Sequence, residues 1–241
     1  MLDKAALVVG GTRRVGRWVS ESLLVADYAV VSSYLGDSGS ATAFRQEMQA
    51  AGHQHGTTQF DATDAAAARK GVDEAASGLG RLDLLAVCCG PSAAGSIIAT
   101  PSADVERIWR GNVLTVHNCI VASIPYLRQS KGRIICFLSA GTDTLQAFSD
   151  IPVYAAAKTM LASYVRSLAR ELAESAVTVN AISLGMANLP PEGAPGAEDK
   201  KLDDLRLVAQ EDLAAALWYL AGPAAGRVTG TVINLGAGFG L

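Results

Sequence analysis

Short apolar runs and helical segments alternate along this chain from end to end. That alternation restricts the fold more than any single motif does. Apolar runs fall near 5–10, 28–34 (YAVVSSY), 56–60, 82–89 (LDLLAVCC), 132–139 (GRIICFLS), 177–183 (VTVNAIS) and 230–235 (GTVINL). Helical patterns lie between them, near 15–26, 40–51, 64–78, 103–128, 152–174 and 210–221. Short continuous Val/Ile/Leu runs separated by helices predict parallel strands buried on both faces. The expected architecture is one α/β domain over 1–241, a seven-stranded doubly wound parallel sheet with helices on both faces. The chain has 241 residues, enough for one such core, and shows neither an internal repeat nor a linker.

Composition narrows the function classes. Half the residues are hydrophobic and 18% are charged, which excludes a disordered chain. A formal net charge of −3 argues against a nucleic-acid partner. No apolar run approaches the ~20 residues of a membrane span, so no membrane partner is expected. The amino terminus lacks the pattern of a secretory signal. Cys88, Cys89, Cys119 and Cys136 all lie in apolar segments, which reads as buried free thiols and a cytoplasmic location. The adjacent Cys88 and Cys89 do not form a CxxC pair and no His completes a zinc site, so no metal is expected. His53 and His55, in a turn before the third strand, read as solvated loop residues. His117 reads as a packing or interface residue. Gly236, Gly238 and Gly240 follow a strand but precede no helix, which suits a close-packed tail better than a phosphate loop.

The segment GGTRRVG (10–16) follows the first strand and opens the first helix. Helix amino termini attract phosphate, and Gly10 and Gly16 let the backbone turn and approach a pyrophosphate. Arg14 stands where a middle glycine is usual, beside Arg13, and a loop of different shape is expected to tolerate it. Two guanidinium groups suit the 2′-phosphate of NADPH. An NAD site instead places an acid after the second strand. Here that strand ends in Ser32, Ser33 and Tyr34, with Asp37 a little later. NADPH is therefore expected over NADH. Asp61 ends the third strand, where it either meets the adenine amino group or, like Thr63, caps the next helix.

Tyr154 and Lys158 in VYAAAK share a helix face. A free phenol ionises near pH ~10. An ammonium about 4 Å from it, at an effective dielectric of about 20, favours the phenolate by up to roughly 4 kcal/mol. That would bring Tyr154 near a useful range for general acid–base work. Ser139 ends the preceding strand at the sheet's carboxyl edge, where active sites gather. Asn112 lies inside a helical pattern. It holds either a water linking Lys158 to solvent, or only backbone groups that satisfy a buried amide.

Together these residues resemble the short-chain dehydrogenase/reductase family, from about Leu7 to the end. The likeness is carried by GGTRRVG, CCG at 88–90 where Asn-Ala-Gly is usual, and Asn112. It continues through Ser139, Tyr154, Lys158, VNAISLG (179–185) and VTGTVINLGAGF (228–239). The resemblance implies a Rossmann fold of strand order 3-2-1-4-5-6-7. It implies a tyrosine proton donor, a lysine on the nicotinamide ribose, and hydride transfer from NADPH to the ketone carbonyl of a small molecule. Homodimers or homotetramers built on the helices near 103–128 and 152–174 are implied too. Cofactor contacts are expected from Gly10, Thr12, Arg13, Arg14, Val15, Gly16, Ser33, Tyr34, Asp61, Ala62, Cys89, Gly90, Tyr154, Lys158, Gly185 and Ala187. Catalytic roles are expected of Asn112, Ser139, Tyr154 and Lys158.

Several positions depart from the family pattern. Arg14 is similar to the turn of pteridine reductases and opens a second reading, a pterin or cyclic-imine reductase. Val87 and Cys88 replace bracing asparagines and Leu184 replaces a proline, which opens a third, a nucleotide-binding regulator without turnover. Asn188 is expected to stand in for a threonine contact to the nicotinamide amide. The long Ser139–Tyr154 interval implies a bulky loop beside the substrate. Residues 187–205, with Pro190, Pro191 and Pro195, read as a lid over the substrate.

Overall fold

The computed structural model describes residues 4–189, 207–236 and 238. Seven parallel strands form one sheet: β1 Lys4–Val9, β2 Tyr28–Tyr34, β3 His55–Gln59, β4 Leu84–Val87, β5 Arg133–Ser139, β6 Thr178–Leu184 and β7 Val232–Leu235. Their order is β3-β2-β1-β4-β5-β6-β7. The sequence reverses between β1 and β4, the crevice where ligands bind in such sheets. The helices are α1 Arg14–Val25, α2 Ser38–Ala50, α3 Ala65–Leu79, α4 Ser102–Trp109, α5 Thr115–Ser130, α6 Pro152–Glu171 and α7 Gln210–Ala221.

Alternate strand residues feed two cores. On one face Leu7, Leu85, Ile134, Cys136 and Val179 pack against α3, α5 and α6 through Val72, Ile120 and Leu161. On the other Val8, Ala86, Ile135, Phe137 and Ile182 meet Val19 and Leu23 of α1 and Leu213 and Leu217 of α7. Burial on both sides explains why the strands read as continuous apolar runs.

Three expectations need correction. The helix expected over 103–128 is α4 and α5 joined by a π-helical turn, Arg110–Leu114, with Asn112 inside it. The helix expected over 152–174 ends at Glu171, and a 3-10 turn, Ala173–Ser175, carries the chain out. His55 is no loop residue: it is buried in β3, paired with Val30, its ring edge-on to Phe44. A β-strand at the sheet edge still presents one face to a helix, here α2.

Candidate active site

The phosphate turn is built from the backbone. Gly10 takes φ 73°, and Gly10 N and Gly11 N donate to Ser33 Oγ and Ser33 O at 3.2 and 3.1 Å. Arg13 caps α1 with no side-chain cap hydrogen bond, and the helix begins at the turn, where a helix amino terminus attracts an anion. A Cβ on Gly16 would lie 1.9 Å from Gly10 O, so only glycine lets the helix come this close. Arg14 has φ 50°. The arginine takes the left-handed conformation that glycine favours, a strain of roughly 1–2 kcal/mol.

Three adjoining cavities surround this turn. One of about 220 Å³ is lined by Gly10, Ser33, Tyr34, Asp61, Ala62 and the pair Cys89–Gly90, at the end expected for adenine. A second, about 340 Å³, brings Arg14, Val15, Cys89, Gly90, Ser139, Tyr154, Lys158, Gly185 and Ala187 together. The third, about 570 Å³, is lined by Thr12, Arg13, Arg14, Arg17 and Ser40 among others. A run of three adjoining cavities, with glycines at the closest approaches and a helix amino terminus at its centre, fits a dinucleotide.

Several side chains do other work than expected. Ser32 is fully buried and bonded within the fold, so it presents no hydroxyl to a ribose phosphate; Ser33 Oγ accepts from Gly10 N and lines the adenine-end cavity. Asp37 caps α2 through Ser40 N at 2.9 Å and pairs with Arg13 at 3.1 Å. Those hydrogen bonds and the guanidinium hold its carboxyl below the usual range, and occupy both oxygens. Asp61 accepts from Thr63 N and Oγ1, each at 2.8 Å, while Asp64, not Asp61 or Thr63, caps α3. Ala187 and Leu189 line the middle cavity; Asn188 does not. Of the expected lid, residues 190–205 lie outside those described, as does Gly240. Gly236 packs on Gly185, whose Cβ would meet its Cα at 2.9 Å, whereas Gly238 faces open space.

Ser139 closes β5 at the carboxyl edge. Its carbonyl accepts from Thr142 N, Thr142 Oγ1 and Ser183 Oγ at 3.0, 2.6 and 2.8 Å, which fixes the residue's backbone. Thr142 and Ser183 carry no motif that marks them for this task. On α6, Tyr154 packs against the small buried cluster of Ile108, Val113 and Ala157. Lys158 is buried; its Nζ donates to Phe137 O at 2.9 Å and lies 5.5 Å from the centre of the Tyr154 ring.

The expected fall in the phenol's pKa is absent. The ammonium lies over the ring, and burial dominates, pushing Tyr154 up to about 12. Burial also lowers Lys158, against the opposite pull of the neighbouring thiols. Those thiols are raised by the same desolvation, Cys89 to about 11 and Cys136 to about 12. Cys88 and Cys89 are only half-buried, and line the cavity.

Asn112 is fully buried on the far side of Gly90. Its Nδ2 donates to Ile108 O and Pro91 O, both at 2.9 Å. The Nδ2 group thus satisfies backbone carbonyls at the 90–91 turn and in its own helix, while Oδ1 is buried beside Gly90 with no protein partner. His117 bonds Tyr164 across α5 and α6 at 2.8 Å. Among the described residues no group of three or more His, Cys, Asp or Glu is placed to hold a metal, and no helix is long and apolar enough to cross a membrane.

A phenol and an ammonium one helical turn apart, a serine at the strand end beside them and a dinucleotide cradle across the switch point define a nicotinamide-dependent oxidoreductase. The profile of the family described as Enoyl-(Acyl carrier protein) reductase matches residues 10–240. Cyclohexanol dehydrogenase of Rhodococcus sp. (strain TK6) is 30% identical, the match covering 98% of this chain and 95% of the relative. The 3-oxoacyl-(acyl-carrier-protein) reductase of Staphylococcus aureus is 28% identical, covering 98% of each. Among solved structures, a blue fluorescent protein from a metagenomic library in complex with NADPH superposes with a TM-score of 0.88 at 28% identity, covering 99% of this chain and 98% of that one. The chain belongs to the short-chain dehydrogenase/reductase family, and is an NAD(P)-dependent enzyme of it.

Proposed function

We propose that this enzyme is an NADPH-dependent ketoreductase acting on small, largely apolar ketones in the cytoplasm. The observation that carries the reading is the convergence of Ser139, Tyr154 and Lys158 on one cavity whose other walls are mainly apolar, among them Val15, Phe137, Leu138, Leu184, Met186 and Leu189, with Arg14 the one charged residue besides Lys158. The bound nicotinamide supplies the hydride. Tyr154, kept protonated by burial, gives its proton to the nascent alkoxide, and Ser139 Oγ donates to the same oxygen. Lys158 holds the phenol ring's position from beneath and offers donors toward the ribose. Asn112 braces the cavity wall through the 90–91 turn. The dehydrogenase of a cyclic secondary alcohol and the reductase of a 3-oxoacyl group, both similar over nearly their whole length, support carbonyl/alcohol chemistry.

The preference for NADPH rests on Arg13 and Arg14 beside Thr12 and Ser40; of the acids close by, Asp37 is paired with Arg13 and Glu21, on the same cavity wall, with Arg17. Kinetics with both cofactors test it. The expected result is at least a 10-fold higher kcat/KM with NADPH than with NADH. Arg13→Ala should lower the NADPH value about 10-fold and leave NADH within about 3-fold, the loss of one charge-assisted contact. A wild-type preference for NADH would overturn the assignment.

A second reading is favoured by Arg14, which lines both the middle and the largest cavity. A guanidinium there suits a planar, hydrogen-bonding substrate such as a pterin or cyclic imine. NADPH oxidation faster with dihydropterins than with cyclic ketones would select it.

A further inference from the structure

A line of buried hydrogen bonds runs from the edge strand β3 to the phosphate turn, and no step above uses it. His55 Nε2 lies 2.9 Å from Ser32 Oγ on β2. Ser32 Oγ lies 2.8 Å from Ser20 Oγ on α1, and Ser20 Oγ lies 2.9 Å from the carbonyl oxygen of Gly11. All three side chains are buried, so water does not compete for these bonds.

The direction of every proton in this line is fixed at its far end. A carbonyl oxygen only accepts. Ser20 therefore spends its single hydroxyl proton on Gly11 O, and takes Ser32's proton as acceptor. Ser32 then has no proton left for the ring, so His55 must donate from Nε2. The ring's Nδ1, buried with no hydrogen-bond partner, is the nitrogen left bare. Phe44 meets the ring edge-on, with centroids 4.7 Å apart, and Gln49 Nε2 holds the His55 carbonyl at 2.8 Å, so the donor's place is set from both sides. At the other end a Cβ on Gly11 would come within 2.7 Å of Ser20 Oγ, so the glycine is what lets the line reach the turn.

We propose that His55, held as the Nε2–H tautomer, acts with Ser32 and Ser20 as a set of positioning residues that fix the Gly11 peptide and so aim the phosphate turn at the cofactor's pyrophosphate. This rests on the reading that the turn holds that pyrophosphate. Gly10 N and Gly11 N are turned inward to Ser33, and the carbonyl of Gly11 is a second handle, from α1, by which the fold orients the turn.

The test has two arms. The first is the nitrogen-15 spectrum of His55 in the wild-type protein without cofactor. The expected pattern has Nε2 protonated and Nδ1 bare; a proton on Nδ1 overturns the proposal however the enzyme behaves. The second compares NADPH and NADH affinities, by calorimetry, of wild type, Ser32→Ala, His55→Phe and His55→Gln. Breaking one buried neutral bond is expected to raise the cofactor Kd about 3- to 10-fold in Ser32→Ala and His55→Phe. His55→Gln, which keeps a donor at the same depth, should stay within about 2-fold of wild type. The same variants should raise the KM for cofactor more than they lower kcat. Equal affinities in all four proteins, or a glutamine variant no better than phenylalanine, reduces the line to plain core packing and overturns the role. A wild-type protein that binds neither nucleotide sinks the cofactor reading itself, and leaves the tautomer result to stand alone.

Discussion

At the scale of single residues the site depends on which proton Tyr154 holds. Burial keeps the phenol neutral well past physiological pH, with a value of about 12. The protonated form is the one reduction consumes, so the rate of carbonyl reduction should stay level through neutral pH and fall only in strong alkali. Alcohol oxidation needs the ionised form and should rise with pH over the same range. Tyr154→Phe removes the proton source but leaves the packing against the Ile108, Val113 and Ala157 cluster. Steady-state assays should show at least a 10³-fold loss in kcat, with the cofactor Kd within about 3-fold of wild type; the upper end of general acid catalysis plus lost alkoxide stabilisation sets that size. A variant retaining a tenth of the activity would assign the proton to another group.

At the scale of elements, the 88–91 segment and the π-helical turn of 110–114 lock into each other. Gly90 has φ 143°, and a Cβ there would fall 2.0 Å from Asn112 Oδ1. The amide has no room to retreat, because its Nδ2 is tied to Ile108 O and Pro91 O. Gly90→Ala should therefore lower stability by about 2–4 kcal/mol, from strain and overpacking together, and disturb cofactor binding because Gly90 walls two of the cavities. Urea titration and cofactor calorimetry on the same variant check both. The elements themselves were legible, since seven apolar runs and six helical patterns are the direct imprint of a sheet buried on both faces. Tyr154, Lys158 and Ser139 were legible because helix periodicity and a strand end place them with no tertiary knowledge. The π turn was not, since one extra residue in a helix leaves no mark on apolar periodicity. Nor was the pull of burial on Tyr154: its sign depends on where the ammonium stops, and that is decided by the Phe137 carbonyl, on a different element. Ser32 misled because a polar residue at a strand end reads as exposed unless its buried partner is known, and His55 because it sits one residue before the expected start of β3, beside glycines that read as a turn.

At the scale of the whole molecule, both faces of the sheet are closed, and two consequences follow for the particle in solution. The first concerns acid. His55 is buried with its pKa lowered to about 4, chiefly by desolvation and further by Arg45 and His53, against about 6.5 when unfolded. The unfolded chain thus binds more protons between those values, so this residue's contribution is complete above pH 6.5 and is lost as pH falls toward 4. Melting temperatures should drop across that window, and His55→Gln should flatten the drop. The second concerns assembly. The helices that cover one face leave large apolar side chains in water: Val105 and Trp109 on α4, Val121 on α5 and Met160 on α6. Apolar surface gathered on neighbouring helices is the usual mark of a contact surface. These are also the segments on which the family resemblance puts subunit contacts. A two-fold axis would set each patch against its own copy, so one substitution strikes the contact twice. Light scattering on the wild type should give a multiple of the 24.9 kDa chain, a dimer or a tetramer. Val121→Glu should shift the mass toward the monomer with the far-ultraviolet spectrum unchanged, because the side chain already stands in solvent in the single chain. A wild-type particle of one chain at tens of micromolar would refute assembly, and a glutamate variant with an oligomeric parent's mass would move the contact to other surfaces, the exposed Trp218 and Tyr219 of α7 first among them.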